Sequence, residues 1–168
     1  MPELSQRVGN FTDSVIRRMT RISNQYGAIN LSQGFPDFDP PKEIMDALAK
    51  AAYEGPHQYS ITYGAQNFRE ALAAKQGKAI HRIIDPNTEI VVTCGGTEAM
   101  MCAMMTICNP GDKVMVFSPF YENYGADAIL SGAEPIYIPL VPPEYEFDIR
   151  LVEQGFRDGA KAIIVCNP

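Results

Sequence analysis

The chain has 168 residues, enough for about one compact unit at a rough ~150 residues per domain. Fourteen Lys and Arg against 20 Asp and Glu leave a formal net charge of −6, and the basic side chains do not cluster, which excludes a nucleic-acid partner held by phosphate neutralisation. A hydrophobic share of 46% with 20% charged residues excludes wholesale disorder, and the longest apolar run, around Met100 to Cys108, is far too short to span a membrane.

In chain order, Met1 to Asn10 is polar, lacks periodicity and reads as an arm. Thr12 or Asp13 can cap a helix with Val15, Ile16, Met19 and Ile22 on one face, ending before Gly27. Ile29 to Leu31 reads as a short extended piece, and Ser32 to Pro41 as a loop. Its closing prolines launch a helix through Ile44, Met45, Leu48 and Ala52, because a first turn does not need the N–H that proline lacks. A further helix is predicted from Gln66 to Ile80.

Beyond it the pattern alternates regularly. Strands are predicted at Ile90–Thr93, Lys113–Phe117, Pro135–Leu140 and Ala162–Cys166, and helices at Thr97–Cys108, Phe120–Leu130 and Ile149–Phe156. Strands that are apolar throughout belong to a sheet covered on both faces. The expected class is therefore α/β, a three-layer, mostly parallel sheet flanked by helices. The chain stops at Asn167-Pro168, directly after a strand of buried type, where open parallel sheets place their ligand loops. It is expected to be the first portion of a longer protein. Cys94, Cys102, Cys108 and Cys166 form no CxxC pair and have no flanking histidines, so they read as reduced core thiols of a cytoplasmic protein, with no metal site.

Several segments can carry chemistry. Gly95-Gly96-Thr97 lies between a predicted strand and a helix's first turn. Glycine lets an anion approach the backbone, helix N-terminal N–H groups point at it and the Thr97 hydroxyl adds a donor, so the turn can cradle a phosphate. A plain tight connection is an equal reading. Neither a GxxxxGK[ST] nor a GxGxxG pattern occurs. Tyr121 follows the next strand and can stack on a planar heterocycle or sit in the core with its hydroxyl satisfied. Gly34 and Phe35, in the loop Gly34-Phe35-Pro36-Asp37-Phe38, can admit a substrate close to the backbone or build a structural loop. His57 reads as a surface loop residue without a local partner, and His81 as a favourable contact with a helix dipole.

The order of these segments resembles the class I/II aminotransferases, the fold-type I pyridoxal-phosphate enzymes, and within them the kynurenine and methionine aminotransferase subgroup. The resemblance runs from Ser14 to Pro168. It rests on Asn30-Leu31-Ser32-Gln33-Gly34-Phe35-Pro36-Asp37-Phe38, on Gln58-Tyr59, on Tyr63-Gly64 with Phe68-Arg69-Glu70-Ala71-Leu72, on Gly95-Gly96-Thr97, on Tyr121 and on Cys166-Asn167-Pro168. It implies an incomplete large cofactor domain over residues 41–168, with the arm, helix and substrate loop of residues 1–40 contributing to a small domain. It further implies pyridoxal 5'-phosphate as cofactor, with Gly95, Gly96 and Thr97 at its phosphate and Tyr121 on its ring. Tyr59 would reach the cofactor of the second subunit of a homodimer, and Gly34 and Phe35 would meet the substrate.

The implied activity is transfer of an amino group from an aromatic, thioether or other neutral L-amino acid to a 2-oxo acid. Cys166 stands where many relatives have asparagine. None of the lysines matches the family's Schiff-base lysine, so that catalytic group is expected after Pro168 and the chain alone is expected to be inactive. Three other readings stay open: a carbon–sulfur β-lyase of the same fold, a non-catalytic nucleotide-binding module, and an inert truncated piece.

Overall fold

The computed structural model describes Glu3, Ser5, Gly9 and residues 13–166. These form two units, one of residues 15–93 and one of the described residues among 1–14 and 94–168. The chain passes from one to the other between residues 14 and 15 and back between residues 93 and 94. The arm, Thr12 as a cap and Asn167-Pro168 lie outside the described residues or are described only at isolated positions.

The unit of residues 15–93 holds three helices, α1 (Val15–Tyr26), α2 (Lys42–Glu54) and α3 (Gln66–Ala79). Helix α2 starts directly after Pro40-Pro41, as proline's fixed φ favours. A single buried side chain organises the far end of this unit. Arg69 is 1% exposed. Its Nε donates to the Gly64 carbonyl at 3.0 Å, and its other nitrogens donate to the Pro86 carbonyl and to Gln66 Oε1. The guanidinium therefore ties the turn before α3 to the segment after it. Two predicted extended pieces do not form strands. Ile29–Leu31 and Ile90–Thr93 are irregular. A β-branched run becomes a strand only if a neighbour accepts its ladder bonds. Val92 N–H instead donates to the Tyr63 carbonyl at 3.0 Å, and no strand among the described residues flanks it.

The second unit carries α4 (Gly95–Ile107), β1 (Lys113–Ser118), α5 (Asn123–Leu130), β2 (Glu134–Pro139), α6 (Ile149–Arg157) and β3 (Ala160–Ile164). The strands are parallel in the order β2-β1-β3. Side chains alternate across the central strand. Val114 and Val116 pack with Met104, Cys108, Ala128, Ala133 and Ile164 under α4 and α5. Met115 packs with Ile138 and Ala160 on the face that carries Val152 of α6. This is the expected three-layer α/β arrangement. On the α6 face the approach is so close that a methyl built on Gly155 would fall 2.2 Å from Met115 Sδ.

Boundaries shifted where polar residues hid them. Helix α4 starts two residues earlier than predicted, because the glycine turn forms its first turn. Helix α5 starts at Asn123 rather than Phe120, and β3 runs Ala160–Ile164 rather than Ala162–Cys166, where pairing to β1 ends. Helix α6 is capped by Asp148, whose carboxylate accepts from Arg150 N–H at 2.9 Å. The four cysteines are free, as expected, but only Cys108 is buried; burial pushes its thiol pKa up. Cys94, Cys102 and Cys166 are exposed, because they sit at a turn, on an outward helix face and past a strand end, which apolar sequence neighbours do not disclose.

Candidate functional site

The second unit gathers most of the residues singled out from the sequence. Gly95 opens α4 with φ +80, a left-handed conformation that only glycine takes without strain. Nothing lies within 4 Å of a Cβ built on Gly95 or Gly96, so open space faces the turn. Glu98 swings its carboxylate back to accept from Cys94 N–H. That places the carboxylate beside the start of α4, where N-terminal N–H groups and the helix dipole favour an anion, and Glu98 is not among the side chains that line the cavity in front of Gly96 and Thr97.

The chain leaves β1 at Ser118 and turns through residues 119–122 into α5. Gly96, Thr97 and Tyr121 line one cavity of about 330 Å³ together with Asn123, Tyr124 and Asp127. Asn123 Nδ2 donates to Thr97 Oγ1 at 3.2 Å and joins the first turns of α4 and α5. Tyr121 is 50% exposed, so it is not a core residue. Its ring meets Tyr124 edge-on, with centroids 5.7 Å apart and planes at 76°. A contact to the cysteine thiol of Cys166 raises the Tyr124 pKa, with burial adding to it. Asp127 is 3% exposed, and burial raises its pKa.

The remaining predicted residues lie in the other unit. Tyr59 is fully exposed and Phe35 is 67% exposed, while a Cβ on Gly34 would meet nothing within 4 Å. His57 has the local partner the sequence hid: its Nε2 lies 2.8 Å from the Ala52 carbonyl, because the chain turns back on the last turn of α2. His81 takes φ +52 just past α3. A larger surface groove of about 560 Å³ runs between α3 and residues 81–86 and holds Gly77, His81 and Arg82 but none of the predicted site residues. Among the described residues no His, Cys, Asp and Glu group is arranged to hold a metal, and no helix is long and apolar enough to cross a membrane.

Sequence reading missed Asn123 and Asp127. Asn123 finds its partner 26 residues away, which no local pattern announces. The signal for Asp127 was present: a lone acid in Tyr124-Gly125-Ala126-Asp127-Ala128-Ile129-Leu130, on a helix face that has to pack.

Chemically, the cavity offers an anion seat at one helix start and an aromatic face beside it. With Glu98 outside the cavity lining, these residues fit a planar heterocycle that carries a phosphate. The family model for aminotransferase class I and II matches residues 26–168. The chain is 37% identical over 155 residues to the methionine aminotransferase of Escherichia coli, covering 92% of this chain and 40% of that protein. It is 32% identical over 175 residues to kynurenine–oxoglutarate transaminase 3 of Mus musculus, covering 98% of this chain and 38% of that protein. Among solved structures, N-succinyldiaminopimelate aminotransferase from Mycobacterium tuberculosis superposes with a TM-score of 0.88 at 32% identity, covering 99% of this chain and 44% of that chain. The chain thus spans about two fifths of the length of the relatives it matches. It belongs to the class I and II aminotransferases, a family of pyridoxal-phosphate-dependent enzymes with the fold-type I architecture.

Proposed function

From that membership we propose that the whole protein, as a cytoplasmic homodimer, transfers the amino group of a neutral L-amino acid to a 2-oxo acid. In this reading the chain seats pyridoxal 5'-phosphate, and residues 1–40 serve a small domain beside the large cofactor domain. The carrying observation is that Gly96, Thr97 and Tyr121 line one cavity. When bound, the cofactor supplies the electron sink for loss of the substrate's Cα proton.

This chain's residues bind and orient. Gly95 and Gly96 let the phosphate reach the start of α4. Thr97, with Asn123 donating to its oxygen, is left to give its own proton to a phosphate oxygen. Tyr121 would stack on the ring, with Tyr124 meeting the phenol edge-on. Tyr59, fully exposed, completes the phosphate seat of the partner subunit. The lysine that carries the cofactor is assigned to a part of the protein outside this chain. Gly34 and Phe35 form the substrate loop. Its exposed Phe35 and Phe38, with relatives named for methionine and kynurenine, support an aromatic or thioether donor.

The test uses the full-length protein. Thr97→Ala is expected to weaken cofactor binding by about 1–3 kcal/mol, the scale of one hydrogen bond to a charged group. Tyr121→Ala is expected to move the cofactor's visible absorption band. Unchanged affinity and an unchanged spectrum would remove both residues from the site. An assay pairing amino donors with 2-oxoglutarate, run against release of thiol from a cysteine thioether, separates transfer from elimination.

A further inference from the structure

The cavity floor holds a group that the reading above does not use. Asp127 lies one helical turn past Asn123 on α5, so both occupy the same helix face. Met100, three residues past Thr97 on α4, lines the same cavity. Asp127 is 3% exposed, and its Oδ2 is buried with no hydrogen-bond partner. The next residue, Ala128, packs in the apolar cluster with Met104, Val114 and Val116.

A charged carboxylate in such a place, with no cation beside it, is strongly disfavoured. A neutral carboxylic acid is not, and it brings a donor. The surrounding elements contribute little charge. The phenols of Tyr121 and Tyr124 line the cavity, and the thiol of Cys166 contacts Tyr124. From α4, Glu98 is turned back to Cys94 N–H. From β2, Tyr137 meets α5 at Gly125. At the start of β1, Lys113 reaches the Asp158 carbonyl, and Lys161 of β3 pairs with Asp112.

We propose that Asp127 is a cofactor-binding residue that works as a neutral carboxylic acid, donating its proton to an oxygen of the phosphate held at Gly96 and Thr97. The inference rests on the phosphate seat proposed above. An anion in that seat repels a carboxylate and favours the protonated acid. Cofactor binding then holds a proton on Asp127, and affinity falls as pH rises above the point at which the free protein releases that proton.

The experiment is a titration of the full-length apoprotein with pyridoxal 5'-phosphate at a series of pH values, for wild type, Asp127→Asn and Asp127→Ala. The cofactor's own ionisations give a slope common to all three. Wild type is expected to lose affinity by up to about tenfold per pH unit beyond that slope over the window in which Asp127 titrates. Asp127→Asn keeps a donor and is expected to bind without the extra slope. Asp127→Ala is expected to bind about tenfold or more weakly where wild type is protonated.

Infrared spectroscopy of the wild-type holoenzyme is expected to show the carbonyl stretch of a protonated carboxyl that is missing from the wild-type apoprotein above the pH at which it releases that proton, a comparison that needs no variant to fold. Parallel pH curves for wild type and Asp127→Asn, or absence of that band, overturn the proposal. If Thr97→Ala still weakens binding in that case, the phosphate seat stands and only the role of Asp127 falls. If neither Thr97→Ala nor Asp127→Ala changes affinity, both fall together.

Discussion

The two units use their apolar residues in opposite ways. In residues 94–166 the central strand is sealed on both faces, with Val114, Met115 and Val116 at or below 1% exposure. In residues 15–93, Leu31, Leu48, Tyr59 and Ile83 stand largely exposed, and the buried residues are Ser23, Arg69 and Ala73. Yet the helices of the second region are as regular as those of the first. In this chain, which spans about two fifths of its relatives' length, the helices of residues 15–93 form without a closed apolar core of their own. The apolar face of α1 and the prolines before α2 act locally, and a guanidinium rather than an apolar core ties together the segments on either side of α3.

The sharpest way to break that contrast is one kind of truncation made in both places. Met104→Ala, in the closed core, is expected to cost about 2–5 kcal/mol in denaturant unfolding of the full-length protein. Leu48→Ala, at a side chain 73% exposed, is expected to stay within about 0.5 kcal/mol. A Leu48→Ala cost as large as that of Met104→Ala would show that α2 has a buried face in the complete protein, and the contrast would dissolve.

Arg69→Ala comes next. It leaves the Gly64 and Pro86 carbonyls and Gln66 without their donor and is expected to cost about 2–4 kcal/mol. Hydrogen exchange is expected to speed up over residues 61–90 and not in β1. Lysine cannot reproduce three diverging donors in one plane, so Arg69→Lys is expected to fail as a rescue.

The smallest effect is a pH response at the foot of the sheet. Asp112 accepts from Asn109 N–H at 2.7 Å and from Lys161 Nζ at 2.9 Å, and these bonds hold its pKa below the ordinary 3.8. Its stabilising contribution is complete above the unfolded-state pKa and disappears as pH falls through the lower folded-state value. Asp112→Asn is therefore expected to be less stable than wild type at neutral pH and to converge with it in strong acid. A gap that stays constant with pH would rule out the ionised carboxylate as the cause.

Element order was legible because buried parallel strands need unbroken apolar runs, and Lys113–Phe117 has one. The same reasoning failed at Ile90–Thr93, where strand-forming residues meet no partner strand among those described. The phosphate turn and Tyr121 were legible from glycine chemistry and the position of an aromatic after a strand. Asn123 was not, since its hydrogen bond links helices distant in sequence. Asp127 was visible as a letter but not as a buried acid, because burial depends on what α4 lays across it.

The bond between Asn123 and Thr97 makes one amide the hinge pin of the site. The anion seat opens α4 and the aromatic plate stands just before α5, and that amide bridges the starting turns of the two helices. Resizing residue 123 would tilt the plate against a fixed seat, giving protein engineers a single dial for the attitude of the bound ring.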